Sequence, residues 1–492
     1  MITIVLGNVN CKIVGSLDEH IRRKLDLEMS YKLAGYEFMM YKSNNFGGWD
    51  GRFRLFQKNK SFPIGLLSIA EKILEENSVS YKIHDNRESV SYGEPIPLTS
   101  ETFIPRDYQL DILKKANKSE SGIVRSATGS GKTSVIAMLC AQYNISTIIY
   151  VIGIELLYQM KDTVEGLYGI ECGLVGGGHC DPTKKITIMT IWSAMSAFDK
   201  KCKIIDNDST QDTASKNKAL NKQLVRDKVR GANMIIIDEC QYAASETVQF
   251  LHKESKSARH RFLFSGTPWR DSGDDILIES VGGPKFYDLN ATKLIKNNYL
   301  VPPEIHFVNV PSMRGVGKNY HDVYRNYIVE NETRNEIICN AAKKLVNSGK
   351  KVLILVVRVG HGNILLEKLS DEFNVDFLDG KKSGRDRMDA IDAMKDGDLD
   401  ILIASKIFDQ GVDIPELDAL ILAGSGKSSG RALQRIGRVI RTNPGKNRAI
   451  VVEFFDNCKY LRDHSLKRIE IYKSEPGFLL KLPSNIPNKY SN

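Results

Sequence analysis

Long hydrophobic runs are missing from this sequence. Apolar stretches such as "KVLILVV" (351–357) stop at seven residues, far short of the ~20 that a membrane-crossing helix needs. The first residues, "MITIVLGNVNCKIVGS", lack a basic stretch followed by a long apolar one. No export signal is therefore expected, and a soluble cytoplasmic protein is. Cysteine is sparse as well. The eight cysteines are scattered with no CxxC pair, and Cys172 and Cys180, with His179 beside the latter, lack the second half of a zinc site. Buried free thiols in a reducing compartment fit this usage. No nuclease motif is recognisable. No internal repeat is present beyond a pairing of two similar halves.

What is present begins with size. A chain of 492 residues, 42% hydrophobic and 26% charged, is too long for one core, and about three domains are expected. A net charge of +9 hints at a polyanionic partner.

Short apolar segments recur from about residue 100. "GIVRS", "STIIYVIG", "KITIMTI", "NMIIIDE" and "RFLFSGT" form one series, and "KVLILVV", "VDFLDG", "DILIAS", "ALILAG" and "AIVVEFF" form a second. The break "YLVPPEI" separates them. Continuous Val/Ile/Leu runs suit strands covered on both faces, so two tandem α/β domains with parallel sheets are predicted. Residues 1–97 differ, with alternating strands and Gly/Asn-rich turns, and read as a small α+β domain ending in the linker "SYGEPIPLTSETF". The predicted boundaries are 1–97, 98–300, 301–460, and a basic C-terminal tail over 461–492. The polar stretch 200–231, with nine basic and four acidic residues, reads as a surface helix or mobile insertion. "NCKYLRDHSLKRIEIYK" suits either an extended basic track or a helix packed on the second α/β domain.

"SATGSGKT" (126–133) follows one apolar run and opens a helix. Gly129 and Gly131 let successive N–H groups of Ser126, Ala127, Thr128, Gly129, Ser130 and Gly131 curl around one anion, helped by the helix dipole. Lys132 would reach the β- and γ-phosphates of ATP, and the Thr133 hydroxyl would hold Mg²⁺. "NMIIIDECQ" adds an acidic pair at a strand end: Asp238 as second Mg²⁺ holder, Glu239 to polarise the attacking water. Hydrolysis of ATP is the reading. The second α/β domain has no GK[ST] loop but carries "QRIGRVIR", where Arg435, Arg438 and Arg441 lie nearly on one helical face. That fragment alone is also met by a solvated basic helix. Beside a complete ATP site it points to arginine fingers, worth ~10³–10⁵ in hydrolysis rate, and to a motor that closes and opens.

These residues resemble the superfamily 2 helicases over roughly residues 100–456, which implies two RecA-like domains. "SATGSGKT" is similar to motif I, "DECQ" to motif II, "SGT" (265–267) to motif III, "SKIFDQGVDIPELD" to motif V and "QRIGRVIR" to motif VI. By this resemblance Arg106 and Gln109 of "IPRDYQ" contact adenine. Gln434, Arg438 and Arg441 sense the γ-phosphate, and Gly411 and Asp413 help close the cleft. Ser265, Thr267 and the "TIW" segment with Thr190 and Trp192 couple nucleotide state to the nucleic acid. Motif II usually ends in His or Asp; Gln241 stands there instead, which bears on coupling rather than hydrolysis.

Within 1–97, "YKSNNFGGWDGRFRLFQKNKSFPIGLL" surrounds Tyr41, Phe46, Trp49, Phe53 and Phe56 with Lys42, Arg52, Arg54, Lys58 and Lys60. Such a mixture can bind phosphates and stack on bases. A hairpin whose Trp49 and Phe53 fill the domain's own core meets the same pattern. The stretch resembles the accessory domain of the phage recombination helicases of the UvsW kind. That resemblance implies a monomeric DNA helicase in the infected host's cytoplasm. It also implies branched, forked or junction DNA, and RNA–DNA hybrids, as substrates, with Trp49, Arg52 and Arg54 on the nucleic acid. A duplex translocase without strand separation, an RNA or R-loop helicase, and a catalytically idle nucleotide clamp are the competing readings.

Overall fold

The computed structural model describes residues 2–32, 50–198, 213–269, 273–382, 384–405, 417–424, 426, 429–484 and 486. Trp49, Gly411 and Asp413 lie outside the described residues. The chain divides into two compact units: Met1–Ser126 with Gly131–Asp288, and Ala127–Ser130 with Leu289–Asn492.

In the first unit, β1 (Ile2–Leu6), β2 (Asn10–Val14), β3 (Ser30–Lys32), β4 (Arg52–Arg54), β5 (Ser61–Pro63) and β6 (Tyr81–Asp85) build the N-terminal domain. Four of them form a sheet in the order β5-β2-β1-β6, and β3 and β4 pair as a separate ribbon. Along β1 buried and half-buried residues alternate, so one face packs under helices Glu19–Glu28 and Leu67–Glu76 around Ile4, Leu25, Phe62 and Leu74. The larger sheet holds β7 (Ser121–Ser126), β8 (Thr147–Val151), β9 (Cys172–Gly176), β10 (His179–Cys180), β11 (Ile186–Thr190), β12 (Met234–Asp238), β13 (His260–Ser265) and β14 (Lys285–Leu289), in the order β10-β9-β11-β8-β12-β13-β7-β14. Its central strands pair in parallel. Strands β8 and β12 are buried at every position, as their unbroken apolar runs require.

The second unit holds β15 (Pro303–Val310), β16 (Val352–Leu355), β17 (Val375–Leu378), β18 (Ile401–Ala404), β19 (Ala419–Ile421), β20 (Ala449–Asp456) and β21 (Leu479–Lys481). They form one parallel sheet ordered β17-β18-β16-β19-β20-β15-β21. The architecture is two tandem RecA-like parallel-sheet domains preceded by a small N-terminal α+β domain.

Three features refine the sequence reading. Of the two readings left open for the basic C-terminal tail, the structure shows the helix packed on the second α/β domain, Leu461–Lys473, followed by edge strand β21. Its Arg468 is buried, paired with Glu453 at 3.1 Å, and Tyr472 donates to the same carboxylate at 2.7 Å. The second unit also begins at Leu289 rather than after 300, because Thr292 Oγ1 donates to the buried Glu475 at 3.0 Å. Finally, the linker is an ordered strap. Ile96 and Thr99 donate to the Ala141 and Leu167 carbonyls at 3.0 and 2.9 Å, and Tyr92 Oη meets His260 Nε2 at 2.8 Å. Within the polar insertion, helix Thr213–Gly231 is anchored by Lys228, whose three ammonium donors reach Ser146 Oγ and the Lys184 and Lys185 carbonyls.

The N-terminal domain is fixed to the first RecA-like domain by backbone fit, a buried cation and a charge ring. At Gly65 a Cβ would fall 2.0 Å from the Glu279 carbonyl oxygen and 2.7 Å from that of Ser280. Arg261, 1% exposed, donates to the Asn8 and Ser255 carbonyls at 2.8 and 2.9 Å and to His252 Nδ1 at 3.0 Å. Burial holds His252 well below the usual imidazole range, so it stays neutral and can accept. Arg87 grips Asp85 with two bonds of 2.8 Å, and both Arg87 and Arg259 also reach Glu120.

Gly65→Ala should force this packed backbone apart and lower stability by about 1–3 kcal/mol, read as a drop in thermal midpoint; an unchanged midpoint would refute the close fit. The Arg87 hydrogen bonds, followed by the smaller help of Arg259, hold Asp85 well below the carboxylate range. A depressed carboxylate stabilises the fold above its unfolded pKa of about 3.9 and loses that contribution as pH falls below it. Asp85→Asn should therefore flatten the fall in melting temperature below about pH 4.

Candidate active site

The phosphate loop is shaped by two left-handed glycines. Gly129 has φ 84° and Gly131 φ 75°, a region that side chains avoid. Gly131 caps helix Lys132–Tyr143, whose first turn holds Lys132 and Thr133. The Lys132 ammonium donates to the Ser126 carbonyl at 3.3 Å. Gln109 is almost fully buried: its Oε1 accepts from the Arg106 N–H at 2.9 Å and its Nε2 donates to the Gly131 carbonyl at 3.4 Å. The Arg106 guanidinium donates to Tyr108 Oη at 2.8 Å. The residues expected at adenine are thus tied to the loop that would hold the phosphates.

Strand β12 delivers Asp238 into a buried position. Burial raises its pKa, the charge of Glu239 raises it further, and Lys132 and the Glu239 N–H oppose both. A carboxylate strained in this way suits a cation beside it. Asp238 and Thr133 offer one carboxylate and one hydroxyl, the sparse oxygen set by which Mg²⁺ is held together with substrate phosphates. The residues fit the ion.

Glu239 itself has φ 57° and ψ 58°, uncommon for a side-chain-bearing residue and costly to hold. Three neighbours steady it. Gln241 Nε2 donates to Glu239 Oε2 at 2.9 Å, Ser265 Oγ donates to Gln241 Oε1 at 2.7 Å, and the Thr267 N–H donates to Ser265 Oγ at 3.0 Å. The chain runs in one direction, from the end of β13 to the carboxylate at the end of β12. The amide at 241 does not titrate, so Gln241 itself offers the same donor and acceptor at any pH.

A surface forms at the carboxyl ends of β9 and β11. Thr190, buried, caps the next helix by accepting from the Ser193 N–H at 3.2 Å, while Trp192 stands 67% exposed. The glycine turn after β9 packs against Thr190 and Tyr158: a Cβ at Gly176 would lie 2.9 Å from Thr190, and one at Gly177 would lie 3.0 Å from Tyr158 Oη. His179 meets Tyr158 Oη at 3.1 Å. Tyr158, His179 and the triple glycine were missed from sequence, although "VGGGH" was a signal for a close backbone approach.

In the N-terminal domain Arg54 is held between Asp26 and Asp50, each at 2.6 Å, and Arg52 Nη1 donates to Ser30 Oγ at 3.0 Å. Phe53 stacks on Tyr31 with centroids 5.5 Å apart. Asp26, distant in sequence, is the opposing charge that composition did not reveal. In the second unit, Gln434 and Arg438 lie on helix Ser429–Val439 half-buried. Arg435 is buried and donates to the Gly424 carbonyl at 3.1 Å, and Arg441 bridges to Leu300.

Three family models match in order along the chain: DNA helicase UvsW, N-terminal, over 10–85; type III restriction enzyme, res subunit, over 102–270; and helicase conserved C-terminal domain over 333–443. The chain is a superfamily 2 DNA helicase resembling UvsW. The ATP-dependent DNA helicase uvsW of Enterobacteria phage T4 is 24% identical to this helicase over 492 residues, covering 91% of this chain and 92% of that protein. The DNA 3′-5′ translocase XPB2 of Sulfurisphaera tokodaii is 23% identical, covering 77% and 88%. The structure of S. cerevisiae Dbp5 bound to RNA and ADP BeF3 aligns with TM-score 0.53 at 15% identity, covering 77% and 90%; that likeness shows the fold alone.

Gln241→Ala should free the Glu239 carboxylate and lower kcat for ATP hydrolysis about two- to tenfold, the worth of one hydrogen bond, with KM for ATP little changed. A fall in ATP affinity with kcat intact would assign Gln241 to nucleotide binding instead.

Proposed function

We propose that this helicase couples ATP hydrolysis to 3′-to-5′ movement along DNA and acts on branched substrates: junctions, forks and RNA–DNA hybrids. The observation that carries the reading is the N-terminal domain matched to UvsW, held on the first RecA-like domain through Gly65, Arg261 and Asp85. Any nucleic acid that this domain grips moves with the ATP-binding domain. The printed name of the archaeal relative supports the polarity, and the net charge of +9 suits a polyanion.

In this reading Lys132 takes the charge of the β- and γ-phosphates, and Thr133 and Asp238 hold Mg²⁺, which shields that charge when bound. Glu239, steadied by Gln241 and Ser265, orients the attacking water. Gln434, Arg438 and Arg441 respond to the γ-phosphate, so hydrolysis alters what they hold. Arg106 and Gln109 serve the adenine end. On DNA, Trp192 is the exposed contact; Tyr158 and His179 stand together at the glycine turn after β9. Thr190 positions the Trp192 segment. Asp26 and Asp50 already occupy the Arg54 guanidinium, which weakens it as a phosphate ligand. No described helix is long and apolar enough to cross a membrane. We place the protein in an infected host's cytoplasm, as a monomer serving recombination, repair and replication.

The match over 102–270 to a restriction-enzyme subunit supports a second reading, duplex translocation without strand separation. The test is ATP-dependent processing of a mobile four-way junction beside a plain forked duplex. Wild type should resolve the junction, and Lys132→Ala should retain DNA binding with turnover abolished. ATP consumption on DNA with both substrates intact would leave the translocase reading. Full turnover by Lys132→Ala would sink the site assignment.

A further inference from the structure

Four adjacent strands of the second sheet, β16, β19, β20 and β15, send their carboxyl ends to one edge, where open parallel sheets bind ligands. After β15 come Lys318, Tyr320 and His321; after β16, Arg358; after β19, Gly424; after β20, Lys459, Tyr460 and His464. The side chains meet. Tyr320 lies with its centroid 6.2 Å from Tyr460, 5.6 Å from His464 and 5.9 Å from the buried Tyr324. Arg358 Nη2 approaches His321 Nδ1 at 3.3 Å, and Lys459 stands 4.9 Å over the Tyr460 ring.

Such a cluster could be a small core of its own, but its geometry says otherwise. Tyr320 and Tyr460 are each 38% exposed. The four ring neighbours of Tyr320 are all inclined to it, by 47° to 71°, so none of the four is stacked flat on it. Tyr460 is kept at φ 64° and ψ −42°, a strained conformation for a tyrosine, and its hydroxyl is tied to the Lys318 carbonyl at 3.3 Å. Beneath them the Tyr324 hydroxyl is buried without a hydrogen-bond partner. Arg358, Lys318 and Lys459 are exposed around the rings, opposed by the exposed Asp322 and Asp463.

We propose that this edge binds single-stranded nucleic acid, bases stacking on Tyr320 and Tyr460 and phosphates meeting Arg358, Lys318 and Lys459. The proposal rests on the nucleic-acid reading above and names a contact outside the helicase motifs quoted for the sequence.

The test is the Kd of the full chain for a fluorescent dT oligonucleotide, with a 2-aminopurine version reporting stacking, across salt concentrations. Tyr320→Ala and Tyr460→Ala should each weaken binding about fivefold to a hundredfold, and the Phe variants should bind like wild type. Tyr320→Leu and Tyr460→Leu keep apolar bulk without a ring and should bind as weakly as the Ala variants while melting near wild type. Lys459→Gln should lower the salt slope by about one. Leu variants that restore binding would make the cluster mere packing and overturn the proposal. So would Ala variants that bind as tightly as wild type. If wild type itself binds no oligonucleotide, the functional reading fails first, and this site with it.

Discussion

A carboxylate at the buried end of an apolar strand has to be compensated, and in the first RecA-like domain most of the functional geometry follows from that requirement. Asp238 sits where β12 leaves the sheet, with Glu239 adding like charge beside it. Lys132 approaches from the phosphate loop, and its own alternative is a carbonyl of that loop. A cation beside Asp238 and an anion beside Lys132 would relieve both, and that arrangement suits the nucleotide and metal proposed above.

Outside the site, buried arginines do the joining. Arg261 ties β13 to the N-terminal domain through Asn8. In the second unit Arg334 pairs with Asp456 and donates to the Ala423 carbonyl, Arg435 donates to Gly424, and Arg468 donates to Gly426 while paired with Glu453. Three guanidiniums thus catch carbonyls of one loop, directly before the helix carrying Gln434 and Arg438. A planar fork with several donors can hold irregular backbone that no ladder satisfies. Truncating one would leave its partner buried and unpaired, which costs more than the pair contributes.

Local structure was legible in the sequence. "SATGSGKT" does lead from a strand into a helix and "NMIIIDECQ" does end a buried strand on an acidic pair, and the ten apolar runs all became strands, β7, β8, β11, β12, β13 and β16 to β20. Long-range pairings were not legible. Arg54 read as one cation of a basic cluster with only Asp50 opposing, because its second partner, Asp26, is far from it in sequence. For the basic tail an extended track and a packed helix both stayed open, because charge composition says nothing of Arg468 finding Glu453. Strands β9, β14, β15 and β21 lacked the unbroken Val/Ile/Leu signature. Glycine in β9 and alternating polarity in β15 mark positions where a strand bends, or meets solvent on one face.

The buried Arg261 also constrains how this chain can be divided. A motor begun at residue 98 would keep the guanidinium and lose the Asn8 carbonyl that one of its donors serves. It would bare the apolar seat shared by Leu55 and Ile276 as well. Through one side chain the N-terminal domain is part of the motor's own interior. Recombining this N-terminal domain with another helicase would require carrying the residue at 261 along with it.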